Sequence, residues 1–294
     1  MNLNGLGVAL ITPFTQQDEI DELALSQLTE RVINEGVDYI VALGTTAETP
    51  TLTDEEKKRI LSIVAEANGK RVPLVLGMGS NATKSLCTEL KQIDTRRFDA
   101  VLSVTPFYNK PSQQGLIAHY TEVASASPLP VILYNVPSRT GVNMTPETVL
   151  ELAHSTSQII GVKEACGDYA QIDALTLHAP DGFSVLSGDD ATAIPSILNG
   201  ANGVISVVGQ GMIDHTVTAV KLALQKNEDA LGLHHELLPM IDLIFEQGNP
   251  SGIKALLSKQ SDILPNVRLP LMPATSDLVA RIGEELQKLR SITV

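Results

Sequence analysis

Eight short apolar runs recur along the chain, each followed by a polar turn and then a longer stretch of helical periodicity. They cover residues 8–12, 39–43, 73–77, 100–104, 130–134, 159–163, 183–187 and 203–207. The runs are continuous rather than alternating, as in strands of a parallel sheet covered on both faces. Helix-start signals stand between them. Thr53-Asp-Glu-Glu56 reads as a capping box, and Pro146 behind Thr145 as a first-turn proline after its cap. The strands are mostly spaced by about 25–35 residues, the size of a βαβ unit. Eight such units without a long insertion predict an α/β fold, a closed (β/α)8 TIM barrel, rather than an open sheet of five or six strands. Beyond the eighth run, 214–226 reads as the helix closing the last unit. Stretches 228–246, 251–259 and 276–290 read as further helices. The expected organisation is a barrel over 1–226 followed by a small C-terminal α-helical domain over 227–294.

Charge narrows the partners. With 21 basic and 34 acidic residues the net charge is −13, and no basic stripe exists, so nucleic acid and an anionic membrane surface are excluded as main partners. No stretch approaches the ~18 apolar residues of a membrane span. The N-terminus lacks the pattern of a secretory leader. Two cysteines, Cys87 and Cys166, make neither a disulfide framework nor a metal pair. The expectation is a cytoplasmic globular protein.

In a barrel of this type the active site lies at the C-terminal ends of the strands. After the second run comes Gly44-Thr45-Thr46-Ala47-Glu48, whose hydroxyls and small-residue turn suit a carboxylate; the alternative is a plain turn. After the fourth comes Thr105-Pro-Phe-Tyr108-Asn109, and the fifth ends in Tyr134-Asn135-Val-Pro-Ser-Arg139-Thr-Gly141. Two of only five tyrosines thus stand at strand ends, placed either to relay a proton or to pack the rim. Arg139 has a fork fitted to a second carboxylate, or to a surface ion pair. The sixth run ends in Lys163. Continuing an apolar run, it is expected to point into a desolvated mouth, where burial favours the neutral, nucleophilic amine. The other possibility is an ion pair, but neighbouring Glu164 faces the opposite side of the strand. After the seventh run, Gly188 looks like a close-approach glycine.

Other constellations compete less well. Gly77-Met-Gly79-Ser-Asn-Ala82 matches a dinucleotide fingerprint, with Asp99 some 20 residues on, but it sits on the third unit of eight. All six histidines fall in or beside helical stretches, none at a strand end, so no metal is expected. No nucleophile elbow or P-loop is present. A non-catalytic binding barrel remains the alternative on fold grounds.

These residues carry a resemblance. GTTAE (44–48), VTPFYNKPS (104–112), LYNVPSRTG (133–141), GVKEA (161–165), LSGDD (186–190) and GVISV (203–207) resemble, in order, the dihydrodipicolinate synthases of the N-acetylneuraminate lyase superfamily. The resemblance implies a lyase that condenses pyruvate with L-aspartate-4-semialdehyde through a lysine Schiff base, in diaminopimelate and lysine biosynthesis, without a cofactor. It implies Lys163 as the Schiff-base lysine, Tyr134 as acid/base, Thr46 as the link between phenols, and Tyr108 as the end of a relay reaching a neighbouring subunit. It also implies Thr45 and Thr46 on the pyruvate carboxylate, Arg139 on the semialdehyde carboxylate, and Gly188 and Ile205 lining the pocket by backbone. A homo-oligomer, most often a dimer of dimers, goes with it. The alternative within the superfamily is a neuraminate or 2-keto-3-deoxy sugar acid aldolase. Ala47 replaces a glycine common in the family. Of the residues that bind inhibitory lysine in regulated relatives, Asn81 matches and Thr49 nearly does. Pro50, Asp54, Lys57, Ser85 and Phe107 stand where those relatives often have Ala, His, His, Glu and Tyr, which implies weak or absent inhibition.

Overall fold

In the computed structural model, which describes residues 1–292, the eight apolar runs form eight parallel strands. β1 (Gly5–Ala9) leads to α1 (Glu22–Asn34), β2 (Tyr39–Ala42) to α2 (Asp54–Asn68), β3 (Leu74–Met78) to α3 (Thr83–Leu90) and β4 (Ala100–Val104) to α4 (Gln113–Ala126). β5 (Val131–Asn135) leads to the single turn α5 (Pro137–Thr140) and to α6 (Pro146–Ser155). β6 (Ile159–Glu164) leads to α7 (Tyr169–His178), β7 (Ser184–Ser187) to α8 (Ala193–Leu198) and β8 (Gly203–Ser206) to α9 (Ile213–Leu224). Three helices follow: α10 (Asp229–Glu246), α11 (Ser251–Ser258) and α12 (Ser276–Ile292). Each strand pairs with the next, and β8 closes on β1 from Gly5↔Gly203 to Val8↔Ser206. The result is the expected closed (β/α)8 barrel followed by a helical segment.

Alternation along the strands sorts the apolar side chains into two layers. Tyr39, Val41, Val75, Leu102, Ile132, Leu186 and Ile205 pack inside the barrel. A much larger cluster, including Ile40, Leu74, Val101, Leu133 and Val162, packs the outer face against the helices. This is why the runs read as continuous. Small residues shape the interior. A Cβ on Gly7 would lie 2.1 Å from the Tyr39 ring, so the lower barrel is filled by that ring.

The first strand is the one clear displacement, found at Gly5–Ala9 rather than 8–12. Its glycines lower its apparent strand character, yet they permit closure: a Cβ on Gly203 would meet the Gly5 carbonyl oxygen at 2.1 Å. The ladder ends where Gln210 intervenes, donating to the Ala9 carbonyl and accepting from the Ile11 N–H (2.9 and 3.0 Å). The capping box of α2 is present in full. At α6 the proline occupies the first turn, but the Thr145 side chain makes no capping bond to the helix.

His119, on α4, is buried between α3 and α4, with Nδ1 2.9 Å from Thr83 Oγ1 and Nε2 unpaired. Burial pulls its pKa down to about 4. The unfolded chain therefore binds this proton at a pH where the fold does not, and stability falls as pH drops from about 6.5 to about 4. The contribution is about 3 kcal/mol. In urea titrations across that range, His119→Gln is expected to flatten the pH dependence by this amount.

Candidate active site

Lys163 and Tyr134 meet at the mouth of the barrel. They stand opposite each other in the β5–β6 register, and Lys163 Nζ lies 4.4 Å from the Tyr134 ring centroid. Both are buried, 5% and 7% exposed. Gly188 makes the room, because a Cβ there would come within 2.9 Å of Lys163 Cγ and Cε. Glu164 points the other way. Its buried carboxylate accepts from Asn135 Nδ2 (2.9 Å), Gln171 Nε2 (2.7 Å) and the Cys166 N–H (2.9 Å). Burial raises its pKa. The lysine's strand is thus held from outside by hydrogen bonds that leave the amine unengaged by that carboxylate.

The second strand runs into a tight turn, Thr45–Ala47, closed by Glu48 in the left-handed region (φ 57°). The turn is held from behind. Glu48 Oε1 accepts from Lys254 Nζ at 2.5 Å with both side chains fully buried, and Glu48 Oε2 accepts from the Arg268 N–H at 2.8 Å. Lys254 also donates to the Asn266 carbonyl (2.7 Å) and lies 4.2 Å from the Phe14 ring centroid. Burial pulls its pKa down to about 8 against the opposing pull of Glu48. Asn249, on the α10–α11 connection, donates from Nδ2 to Thr46 Oγ1 at 2.9 Å.

Between these elements lies a cavity of about 250 Å³, lined among others by Thr45, Thr46, Tyr134, Arg139, Lys163 and Gly188. Phe245 and Asn249 close it from the helical segment. A wider cleft of about 430 Å³ shares Thr45, Tyr134 and Arg139 and runs outward past Thr49, Lys57 and Phe107. Arg139 reaches both spaces from the one-turn α5. A buried amine and phenol with a cation across the cavity suit attack on the carbonyl of a small acid.

Six of the predicted site residues therefore converge. The Ile205 side chain lies instead in the interior packing, and Val207 is the β8-end residue that lines the cavity. Tyr108 is 88% exposed with φ 72° and does not line its own cavity. Thr49 borders the outer cleft, its hydroxyl directed to the Leu43 and Gly44 carbonyls, while Asn81 accepts on its backbone from Asn109. Asn249, Phe245, Glu48 and Lys254 were not found by sequence reasoning. For Asn249 the sequence signal was no more than a Gly-Asn-Pro turn between helices.

The competing motifs have structural explanations. A Cβ on Gly77 would meet the Leu43 carbonyl at 2.4 Å and one on Gly79 would meet Val104 at 2.3 Å, while Asp99 accepts from the Leu74 N–H at 2.8 Å. These glycines serve strand packing. Burial pushes the Cys166 thiol up to about 12, so it is protonated and unreactive at neutral pH. Among the described residues no group of three or more His, Cys, Asp or Glu could hold a metal ion, and no helix is long and apolar enough to cross a membrane.

The family model for the dihydrodipicolinate synthetase family matches residues 2–289. The chain belongs to this family. It is 49% identical over 279 residues to the 4-hydroxy-tetrahydrodipicolinate synthase of Flavobacterium psychrophilum, covering 95% of each chain. It is 46% identical to the enzyme of that name from Parabacteroides distasonis, covering 98% of each. Among solved structures it resembles dihydrodipicolinate synthase from Thermotoga maritima with a TM-score of 0.95 and 34% identity, covering 98% of this chain and 99% of that one.

In this family member the buried Glu48–Lys254 pair makes a sharp prediction. Removing one partner strands a charge, so Lys254→Met should cost about 3–5 kcal/mol, whereas Glu48→Gln with Lys254→Met should recover much of it. Urea denaturation of the single and double variants measures both.

Proposed function

We propose that the protein condenses pyruvate with L-aspartate-4-semialdehyde as a 4-hydroxy-tetrahydrodipicolinate synthase. The observation that carries this is the Lys163 amine set against the Tyr134 phenol in a closed pocket, with Arg139 at its rim. Lys163 Nζ attacks the C2 carbonyl of pyruvate and water leaves, giving an iminium. Tyr134 passes the protons. Loss of a C3 proton gives the enamine, whose C3 attacks the aldehyde carbon of a semialdehyde held by its carboxylate on Arg139, and the former aldehyde oxygen takes up a proton to become a hydroxyl. The semialdehyde's amine then adds to C2, and Lys163 departs as the ring closes.

The two threonines divide the remaining work. The link between phenols, expected at Thr46, is better placed at Thr45, which lines both the inner cavity and the outer cleft. Thr46 lines the inner cavity alone and grips the pyruvate carboxylate. Gly188 and, at the end of β8, Val207 rather than Ile205 complete the wall. Tyr108 lies too far out to serve its own cavity, which supports a homo-oligomer in which it enters a neighbour's cleft. A dimer satisfies this requirement, and a dimer of dimers repeats it. Cytoplasmic placement fits the substrates.

Arg139 favours this reaction over a sugar-acid aldolase, because its guanidinium matches a small carboxylate better than a neutral polyol. Borohydride reduction with pyruvate, followed by peptide mass spectrometry, should place an adduct on Lys163. Arg139→Ala should retain that adduct while the semialdehyde KM rises roughly 10- to 100-fold. No adduct on the folded protein removes the proposal.

Regulation follows from the same cleft. Ser85 leaves no carboxylate for a lysine ammonium, Lys57 is paired with Asp54 at 3.1 Å, and the Thr49 hydroxyl is committed to backbone. Free lysine should inhibit weakly or not at all; a micromolar inhibition constant refutes this.

A further inference from the structure

The Asn249 side chain crosses from the helical segment into the barrel's site, 203 residues along the chain from its partner. It is 8% exposed and lines the cavity beside Phe245. Its Nδ2 donates to Thr46 Oγ1, while its buried Oδ1 has no partner. A buried unpaired acceptor is destabilising, and here the amide that carries it lines the cavity and bonds the barrel's own hydroxyl.

The hydroxyls around Thr46 sharpen the point. Thr12 donates to the Ala47 carbonyl, Thr49 to the Leu43 and Gly44 carbonyls, and Thr51 to the Glu48 carbonyl. Their protons are committed to backbone. Thr46, 2% exposed, accepts from Asn249 and donates to no described residue. A hydroxyl has one proton and two lone pairs. With a lone pair occupied from the helical side and no described acceptor taking it, its proton is free to turn toward the cavity, which Lys163 and Tyr134 also line.

We propose that Asn249 is a positioning residue that aims the Thr46 O–H at the carboxylate of the bound α-keto acid. The proposal rests on the reading in which Thr46 grips that carboxylate. It gives the helical segment a part in substrate binding, exercised through the barrel's own donor.

The test is a double-mutant cycle between Asn249 and Thr46, read as KM for pyruvate and kcat, with melting temperatures to confirm folding. Asn249→Ala frees the hydroxyl to rotate. Asn249→Asp, nearly equal in shape, can only accept when ionised and so draws the Thr46 proton away from the cavity. Each should raise the pyruvate KM roughly tenfold or more with a much smaller change in kcat. In a Thr46→Val background Asn249→Ala should add nothing to the loss, because Asn249 acts through that hydroxyl. An additive loss from Asn249→Ala overturns the proposal, since a direct contact with substrate or general loosening persists without Thr46. A native pyruvate KM in both Asn249 variants, with Thr46→Val impaired, overturns the proposal and leaves the reading of Thr46 intact. A native KM in Thr46→Val overturns both.

Discussion

Adjacent residues of a strand face opposite sides, and at the end of β6 that constraint separates an amine from a carboxylate. Lys163 points into the barrel beside Tyr134, and Glu164 points out to Asn135 and Gln171. Had both faced the mouth, they would have formed an ordinary ion pair. The barrel's parallel register sets Tyr134 opposite Lys163, and Gly188, just past the end of the neighbouring β7, leaves space for the long side chain. The site follows from the order of the sheet, because Tyr134, Lys163 and Gly188 come from three successive strands or their ends.

Around that centre the protein uses buried polar groups to hold the Thr45–Ala47 turn in place. Glu48 is clamped by Lys254 and the Arg268 N–H, and Phe14 lies against both cations, 4.2 Å from Lys254 and 4.4 Å from Arg268. Buried ion pairs add little net stability, but a half-made one is costly, so such a pair penalises alternative positions of the turn. Arg268 extends the clamp to Glu56 of α2, whose carboxyl it holds down to about 2. The helical segment is in this sense a back wall for the catalytic mouth, joined to it by charge and hydrogen bonds as well as by apolar packing.

The sequence carried more of this than its length suggests, for identifiable reasons. Strands covered on both faces announce themselves as apolar runs, so seven of the eight lay within a residue or two of their observed positions. β1 was displaced because the glycines that allow Gly203 to approach Gly5 weaken its apolar signal. Lys163 stood out because a charge that continues an apolar run needs a reason. Tyr134 and Arg139 were legible from their places at a strand end and in the turn beyond it. Gly77 and Gly79 showed the converse: glycines spaced like a phosphate cradle serve the packing of β3 against its neighbours.

The period of the fold, the strand ends and the residue types presented there are legible along the chain, because these depend on local pattern and on alternation. Which side chains from distant segments share one space is set by the packing of the folded molecule. Asn249 meets Thr46 across 203 residues, and Lys254 meets Glu48 across 206. No local rule links such positions. Their pairing exists because closing the barrel and laying α10 and α11 against it leave buried donors and acceptors that must find one another. Tyr108 marks the opposite limit, an exposed phenol at the rim of a cleft whose own cavity it does not reach.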